Sequence, residues 1–544
     1  MPLNTIPEQP LVESIQTLLD NVADIFTESL QQQQTLISNF LQLEDNRTIR
    51  VFVADSPGMG HQSNTVLIMS RLIQLGFNQN YDVVYAVGEA DNLTADKLIK
   101  LIPGFVPNAN GTPVNVALNA STTASMIPLP YFKAHAADYP LLNFGFTGGF
   151  DSNATNLANK PYPDDPNAKG VNVNLFLKLQ PYQWAQENAI QQQDLPAREN
   201  ILNVAALGGL TYGRKRGYFI NAPAAPTQAS FVAPNQNKYT PYQKIIAACT
   251  SAENPINLLP VYGIGGSDVT GATNANPAVL SQNVLFDLIT AVRYTQRFST
   301  LANLQRGAII VNIADIPAAS YTALNTLLSG AAADLPNLNA LVTQLPAIQG
   351  DIAANHVEVI NYDNADLDAK IAALQGAGGA NKILVIKMGG LPISAFDYMY
   401  ACSSLPSLLE GKATANLVLN LNKPYLNLLK DAGIVYPTLP LNAPNGPTAT
   451  RCNNAVLGFK DSTATINASL GDAFILNPPS AGLQATPIYT IASLTIDAYK
   501  AADAAGSLRP YFTDLYNFFQ NQQQDKLFLG LLYFLSFVNN LDGQ

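Results

Sequence analysis

Charged side chains are scarce in this sequence, since Asp, Glu, Lys and Arg make up only 12% of the 544 residues, about half of the usual share. The surface is therefore expected to be rich in neutral polar groups, and the many Asn and Gln residues fit that expectation. The formal net charge of -10 lacks the basic face of a general nucleic-acid binder. The short basic cluster at 214–216 is typical of solvated surface. The sequence predicts no nucleic-acid partner.

Cysteines are few, and Cys249, Cys402 and Cys452 lie far apart. Their odd number and wide spacing indicate neither a disulfide framework nor a Cys/His zinc motif, so a reducing, cytoplasmic location is expected. A secretory signal has a basic segment followed by an apolar one, and the first residues do not show that pattern. No apolar run reaches the roughly 20 residues of a spanning helix.

The longest apolar stretch lies near the end of the chain, at 527–538. It favours a buried helix that docks on the rest of the protein. The alternative is an anchor at a membrane surface.

The chain is long enough for two to four domains, and its 47% hydrophobic residues are ample for large cores. Apolar residues at helical spacing over 9–43 predict an amphipathic helix or a helical pair. A strand over 49–55, a glycine turn at 56–61, a helix through 66–76 and a strand over 81–87 then predict the opening βαβ unit of a parallel sheet. The segment from about 100 to 245 is rich in Asn, Pro and Gly and is interpreted as the looped remainder of this domain, with shorter strands at 114–118 and 173–179.

A second alternation of strands and helices begins near residue 255. The apolar runs predict strands at 256–262, 308–313, 357–361 and 382–388, which alternate with helices at 279–298, 321–328 and 365–374. Two or three further helices are expected after about 455. The predicted fold class is α/β, with two Rossmann-like domains and helical N- and C-terminal extensions. The expected boundaries are 1–45 for the first extension, 46–250 and 251–455 for the two domains, and 456–544 for helices that pack back on the first domain.

Two glycine turns follow strands and open the two predicted sheets. Glycines there let the backbone approach an anion, and the N–H groups of the next helix favour negative charge. Gly263, Gly265 and Gly266 thus form a candidate diphosphate cradle, although such turns are common in structural roles too. Neither turn has the Lys-Ser/Thr pair of a P-loop. His61, one of three histidines, is a candidate general base at the start of a helix; a capping or packing role is the alternative.

A third candidate segment follows the strand at 382–388 and contains Gly389, Gly390 and Leu391. Ser403 and Ser404 offer hydroxyl and N–H groups for phosphate, and Glu410 at a helix start offers a carboxylate for a ribose diol. The Asp-Leu-Asp run at 366–368 is interpreted as a helix cap rather than a metal site.

Taken together these segments resemble the GT-B glycosyltransferases, in particular the peptidoglycan N-acetylglucosaminyltransferase and its UDP-glycosyltransferase relatives. The turn Pro-Gly-Met-Gly-His at 57–61 is similar to the turn after their first strand. The glycine loop at 263–266, the loop at 389–392 and the Ser-to-Glu spacing of 403–410 are similar to their donor-binding motifs. The resemblance covers about 49–90 and 255–430, and Asn64 stands where the family has proline.

The resemblance implies two domains that face each other across a cleft. It implies that His61 lies near the transferred sugar, with Gly58, Gly60 and Asn64 on the acceptor side, and that Glu410 holds the ribose while Ser403 and Ser404 hold the phosphates. Gly411 and Thr414 complete the implied donor set with the glycines named above.

The function implied is metal-independent transfer of a hexosyl or N-acetylhexosaminyl group from a nucleotide-diphosphate sugar, such as a UDP sugar, with no resident cofactor. The acceptor, whether protein, lipid or small molecule, is not indicated. A nucleotide-sugar epimerase and a catalytically silent GT-B-like binding protein are the alternatives. The Asn/Gln-rich composition also admits a bacterial effector that acts in a host cytosol.

Overall fold

The computed structural model groups the chain into two compact units, 1–221 with 519–544, and 222–518. The residues that it describes are 9–55, 59–88, 90, 93–140, 142–148, 173–178, 201–203, 223–264, 277–314, 316–329, 357–409, 412–427, 450, 452, 487–520 and 526–539. The α/β class with two mostly parallel sheets, compatible with a Rossmann-like fold, is confirmed. The boundary between the units falls at 221/222, and α6 (Tyr239–Cys249) belongs to the second of them.

The first unit is built on a sheet of seven described strands in the order β3-β4-β2-β1-β5-β6-β7. Every neighbouring pair is parallel except β3 with β4. The strands are β1 (Thr48–Val53), β2 (Asn80–Tyr85), β3 (Val114–Ala117), β4 (Thr123–Pro128), β5 (Leu142–Thr147), β6 (Val173–Lys178) and β7 (Ile201–Asn203). Because β1 consists largely of buried β-branched and aromatic residues, it suits the centre of a sheet that is covered on both faces.

Two of these strands correct the sequence analysis. The segment from 100 to 245 was expected to be mainly loops, yet β4 and β5 lie next to β2 and β1 in the middle of the sheet. Both strands are interrupted by residues with weak strand propensity, such as Ser125 and Gly145. Burial between neighbouring strands overrides that weak propensity.

The described helices of the first unit include the predicted N-terminal pair, which is confirmed. They are α1 (Gln9–Leu19), α2 (Leu30–Leu41), α3 (Gly60–Gln74), α4 (Thr94–Leu101), α5 (Leu129–Ala134) and α14 (Lys526–Asn539). The second helix of the pair, α2, begins at a capping box in which the Ser29 hydroxyl accepts from the Gln32 N–H and the Gln32 side chain accepts from the Ser29 N–H. The Leu and Phe residues of α14 between 527 and 535 are buried, and Phe534 contacts the rings of Phe40 and Phe144. Thus α14 is an internal helix of this unit.

An ion pair lies on the central strands of the first sheet. Arg50 on β1 is fully buried, and its Nη2 donates to Asp82 Oδ2 on β2 at 2.8 Å. Nη1 donates to the Pro140 carbonyl at 3.0 Å, and the guanidinium lies 5.3 Å from the Phe132 ring. Burial lowers the pKa of Arg50, while the carboxylate of Asp82 opposes that shift. The ion pair therefore connects β1, β2 and the segment between β4 and β5.

The second unit contains a sheet of six described strands, all parallel, in the order β10-β11-β9-β8-β12-β13. They are β8 (Asn257–Val261), β9 (Ala308–Asn312), β10 (Val357–Asn361), β11 (Ile383–Lys387), β12 (Ser407–Leu409) and β13 (Tyr425–Asn427). Every residue of β8 and β9 is buried, as expected for central strands of a parallel sheet that is covered on both faces. The sequence pattern did not predict β12 and β13, because each strand is only three residues long.

The described helices of the second unit follow the predicted alternation. They are α6, α7 (Pro277–Phe298), α8 (Ala318–Ser329), α9 (Leu367–Gln375), α10 (Ile393–Ala401), α11 (Lys412–Asn420), α12 (Pro487–Tyr499) and α13 (Arg509–Gln520). Tyr294 on α7 packs against Ala492 on α12. Asp366 occupies the N-cap position of α9 as expected, but its side chain makes no capping hydrogen bond, so its expected role as a side-chain cap is wrong. Asp368 instead pairs with Lys244 at 2.7 Å.

Among the described residues, no helix combines the length and the apolar character that crossing a bilayer needs.

Candidate functional site

The strand order of the first sheet reverses at β1, since β2 and β4 lie on one side of it and β5, β6 and β7 on the other. Ligands of open parallel sheets bind beyond the carboxyl ends of the strands at such a reversal. Here that position is occupied by Ala54 and Asp55 after β1, by Gly148 after β5, and by the first turn of α3, which contains His61. The fold thus brings His61 to the expected edge of the sheet.

The first two turns of α3 are joined to the end of β5 by hydrogen bonds. The Thr65 hydroxyl accepts from the Gly148 N–H at 3.1 Å and donates to the His61 carbonyl at 2.9 Å. A Cβ atom on Gly148 would lie 2.5 Å from the Thr65 nitrogen, so only glycine allows this approach. The backbone of His61 is therefore held beside the end of β5, and its side chain is half-buried.

The residues expected on the acceptor side differ in their surroundings. Asn64 is fully buried, and its side-chain amide donates to the Gly148 carbonyl, so this residue holds α3 against β5. Gly60 is exposed and begins α3, and a Cβ atom there would meet nothing within 4 Å. Gly58 lies outside the described residues.

Two charged residues at this edge were not identified from the sequence. One carboxylate oxygen of Asp55, Oδ1, is buried and has no hydrogen-bond partner among the described residues. Lys97, on the first turns of α4, is only 7% exposed. Burial lowers the pKa of Lys97, the Asp55 carboxylate raises it and Lys100 lowers it. The Asp55 carboxylate beyond the end of β1 thus favours the charged form of Lys97.

The strand order of the second sheet reverses at β8, which has β9 on one side and β12 on the other. Gly263 follows β8 with a φ of 81°, a left-handed conformation that favours glycine. The preceding Tyr262 N–H donates to the Leu408 carbonyl of β12 at 3.1 Å. The predicted glycine turn therefore begins at this reversal, while Gly265 and Gly266 lie outside the described residues.

The loop at 389–392 lies at the same edge, after β11. Gly389 has a φ of 65°, and its N–H donates to the Asn312 carbonyl at the end of β9 at 3.0 Å. The Gly390 carbonyl accepts from Lys238 Nζ at 2.7 Å, and Leu391 is buried. The helix α10 then begins after Pro392 without a side-chain cap, so N–H groups of its first turn lack intrahelical partners at this edge. Lys238 was not identified from the sequence.

An aromatic pair lies beside these two glycine loops. The rings of Tyr262 and Phe396 are half-buried and meet edge to face, with centroids 5.3 Å apart. Phe396 in turn packs on the fully buried Tyr400. The pair provides a fixed, partly exposed aromatic surface. Its members lie in two different motif segments, so sequence spacing could not have paired them.

The two serines of the expected donor motif lie at the opposite edge of the sheet. The Ser404 hydroxyl accepts from the Leu258 N–H at 2.8 Å and donates to Asn257 Oδ1 at 3.2 Å. These partners lie at the amino end of β8, whereas Gly263 follows its carboxyl end. The Ser403 hydroxyl is buried and donates to the Tyr400 carbonyl at 2.8 Å. The structure therefore does not bring Ser403 and Ser404 together with the glycine loops.

The remaining donor residues follow β12. Thr414 is buried in the first turn of α11, the helix that follows the carboxyl end of β12. Glu410 and Gly411 lie between β12 and α11, outside the described residues. Among the described residues, no three His, Cys, Asp or Glu side chains are grouped so that they could hold a metal ion.

No family model, curated protein or solved structure matches this chain.

Proposed function

We propose that this protein is a glycosyltransferase of the GT-B type that moves a sugar from a nucleotide-diphosphate donor to an acceptor. The observation that supports the proposal most directly is the position of the candidate residues. Gly263 and the start of α3 each follow a strand at which a parallel sheet reverses its order. These are the positions at which open α/β sheets bind nucleotides and phosphates.

In this proposal the second unit holds the donor. Backbone N–H groups at Gly263 and at the start of α10 stabilise the diphosphate, and the ammonium of Lys238 beside Gly390 adds positive charge. The aromatic pair of Tyr262 and Phe396 packs against the base. Glu410 accepts hydrogen bonds from the ribose, as the resemblance implies. Ser403 and Ser404 are left out because their hydroxyls are bonded at the other edge of the sheet.

The first unit would bind the acceptor near His61. The hydroxyl oxygen of the acceptor attacks the anomeric carbon of the donor sugar. The bond from that carbon to the diphosphate oxygen breaks, and the diphosphate leaves with the bonding electrons. His61, or a carboxylate that acts with it, takes the hydroxyl proton. The proposal requires that the donor and the acceptor meet between the carboxyl ends of the strands of both sheets, as in the two-domain GT-B arrangement.

Thermal unfolding in the presence of nucleotides tests the donor site. UDP or GDP at 100 times its dissociation constant is expected to stabilise the folded protein by about 2.7 kcal/mol. Glu410→Ala is expected to remove the increase in Tm. Glu253→Ala, a change at an exposed loop residue, is the matched control and should keep it. A wild-type Tm that responds to no nucleotide or nucleotide sugar would contradict the proposal.

A further inference from the structure

Among the described strands, β3 lies at one end of the order of the first sheet. We propose that this edge pairs with β3 of a second copy of the chain, in antiparallel orientation, so that two first units share one continuous sheet. The inference goes beyond the proposed function and does not depend on it.

The backbone groups that point outward from β3 follow from its pairing with β4. The Leu118 N–H donates to the Thr122 carbonyl at 2.9 Å, in the register of the antiparallel β3–β4 pair. Along such a pair, residues that exchange hydrogen bonds alternate with residues that do not. Leu118 and Val116 therefore bond toward β4. The N–H and carbonyl groups of Asn115 and Ala117 point away from it.

These outward groups are open to a partner strand. Asn115 and Ala117 are both exposed, and their outward N–H and carbonyl groups bond to no described residue. A row of unpaired N–H and carbonyl groups on an edge strand is a template for pairing with another chain.

The groups on either side of this pair of residues are missing or already bonded. Pro113 has no N–H, and its carbonyl accepts from Asn108 Nδ2 at 3.3 Å. The Asn119 N–H donates to the Thr122 carbonyl at 3.3 Å. Of the described edge, the two outward residues are thus left to bind an added strand, and this fixes its register.

A second copy satisfies this register under two-fold symmetry. Asn115 of one copy then lies opposite Ala117 of the other, and each such pair exchanges two hydrogen bonds. Val116 faces Val116 of the second copy at the axis, where β-branched side chains contact each other closely. Val114 lies opposite Leu118, and both are half-buried in the single chain, so the pairing buries further apolar surface.

The charge distribution favours a copy of the chain as the partner. The net charge of -10 makes two copies repel each other overall. From 101 to 132, however, the sequence contains no Asp, Glu, Lys, Arg or His. Proteins commonly place charged side chains on edge strands to prevent pairing, and this edge has none. Two copies therefore meet here without bringing like charges together.

Sedimentation velocity of the full chain tests the inference. The mass is expected to rise with concentration from 58.2 kDa toward twice that value. Asn115→Pro should stay monomeric, because proline removes an outward N–H and leaves the hydrogen bonds to β4 in place. Asn115→Ala is the matched control, since it keeps the N–H and should dimerise like the wild type. The Tm of each variant checks that the fold is retained.

Val116→Cys provides a second readout that does not depend on the proline variant. Opposite residues at the axis have Cα atoms about 4.5 Å apart, which is within the range that a disulfide spans. With copper phenanthroline as the oxidant, two copies of this variant should be linked by a disulfide. Ser121→Cys, at an exposed turn residue away from the axis, is the control and should stay unlinked, as should the wild type.

Two results would overturn the inference. In the first, the wild-type chain stays monomeric at every concentration, and the edge is then left to a strand of another protein. In the second, dimers persist in a folded Asn115→Pro, because the contact would then lie elsewhere on the chain. If Asn115→Pro does not fold, the cross-link decides, and its absence in Val116→Cys overturns the inference.

Discussion

At the scale of single residues, the candidate site contains a close approach of two backbone segments. Gly148 follows β5, and its N–H and carbonyl both bond to side chains on the second turn of α3, those of Thr65 and Asn64. This contact holds the helix start that carries His61. The glycine is needed because any side chain would meet the backbone of the helix.

A substitution at Gly148 is therefore expected to be costly. In Gly148→Ala the new Cβ would lie 2.5 Å from the Thr65 nitrogen, and the helix start must shift. We expect a loss of about 1–3 kcal/mol in the free energy of unfolding, as for overpacked cores, measured by denaturant unfolding.

The matched control is Gly60→Ala, which replaces the glycine at the start of α3. A Cβ atom there has open space, and alanine is the better helix former. The control should be neutral or slightly stabilising. Equal stability of the two variants would contradict the close packing of α3 against β5.

At the scale of secondary structure elements, α14 is the clearest case of a segment that stabilises a distant part of the chain. Its residues Leu527, Phe528, Leu532 and Phe534 are at most 1% exposed. Its aromatic contacts reach α2 and β5, which precede it by several hundred residues. The apolar character all around this helix is that of a buried helix.

Phe534→Ala is expected to destabilise the first unit strongly. The ring lies 5.4 Å from Phe40 and 5.0 Å from Phe144, measured between centroids, and its removal leaves a cavity. Such changes cost about 3–5 kcal/mol, and Tm falls by roughly 2–4 °C for each kcal/mol in a unit of this size. Calorimetry measures the effect.

Leu30→Ala provides the control for this helix contact, because Leu30 begins α2 but is 41% exposed. Its effect should stay within about 0.5 kcal/mol. A similarly small effect of Phe534→Ala would show that α14 is not packed in the interior.

At the scale of the whole molecule, the proposal divides the reaction between the two units. The glycine loops of donor binding belong to 222–518, and the start of α3 belongs to the unit formed by 1–221 and 519–544. Variants of one unit are therefore expected to change one step of the reaction and leave the other intact.

His61→Ala is expected to abolish sugar transfer, because no imidazole then remains beside the acceptor hydroxyl, and to leave nucleotide binding nearly unchanged. Isothermal titration with UDP or GDP measures binding, and release of the nucleotide measures turnover. Gly263→Val is the complementary variant and should weaken nucleotide binding, since valine is strained at a φ of 81°. Normal turnover in His61→Ala would show that the histidine has no role in the chemistry.

The sequence by itself determined the α/β class, because runs such as β8, β9 and β11 are apolar enough to be recognised as buried parallel strands. It also determined that glycine turns follow β1 and β8, since glycine marks such turns directly. The short strands β12 and β13 and the interrupted strands β4 and β5 gave too weak a local pattern.

Only the tertiary structure decided which residues share an edge of a sheet. Ser404 is close in sequence to the donor loops, but hydrogen bonds place it at the amino end of β8. Asp55 and Lys97 are 42 positions apart on elements without a shared motif, and the fold brings them near enough for the Asp55 carboxylate to raise the pKa of Lys97. Strand pairing depends on contacts between distant segments, which no local pattern records.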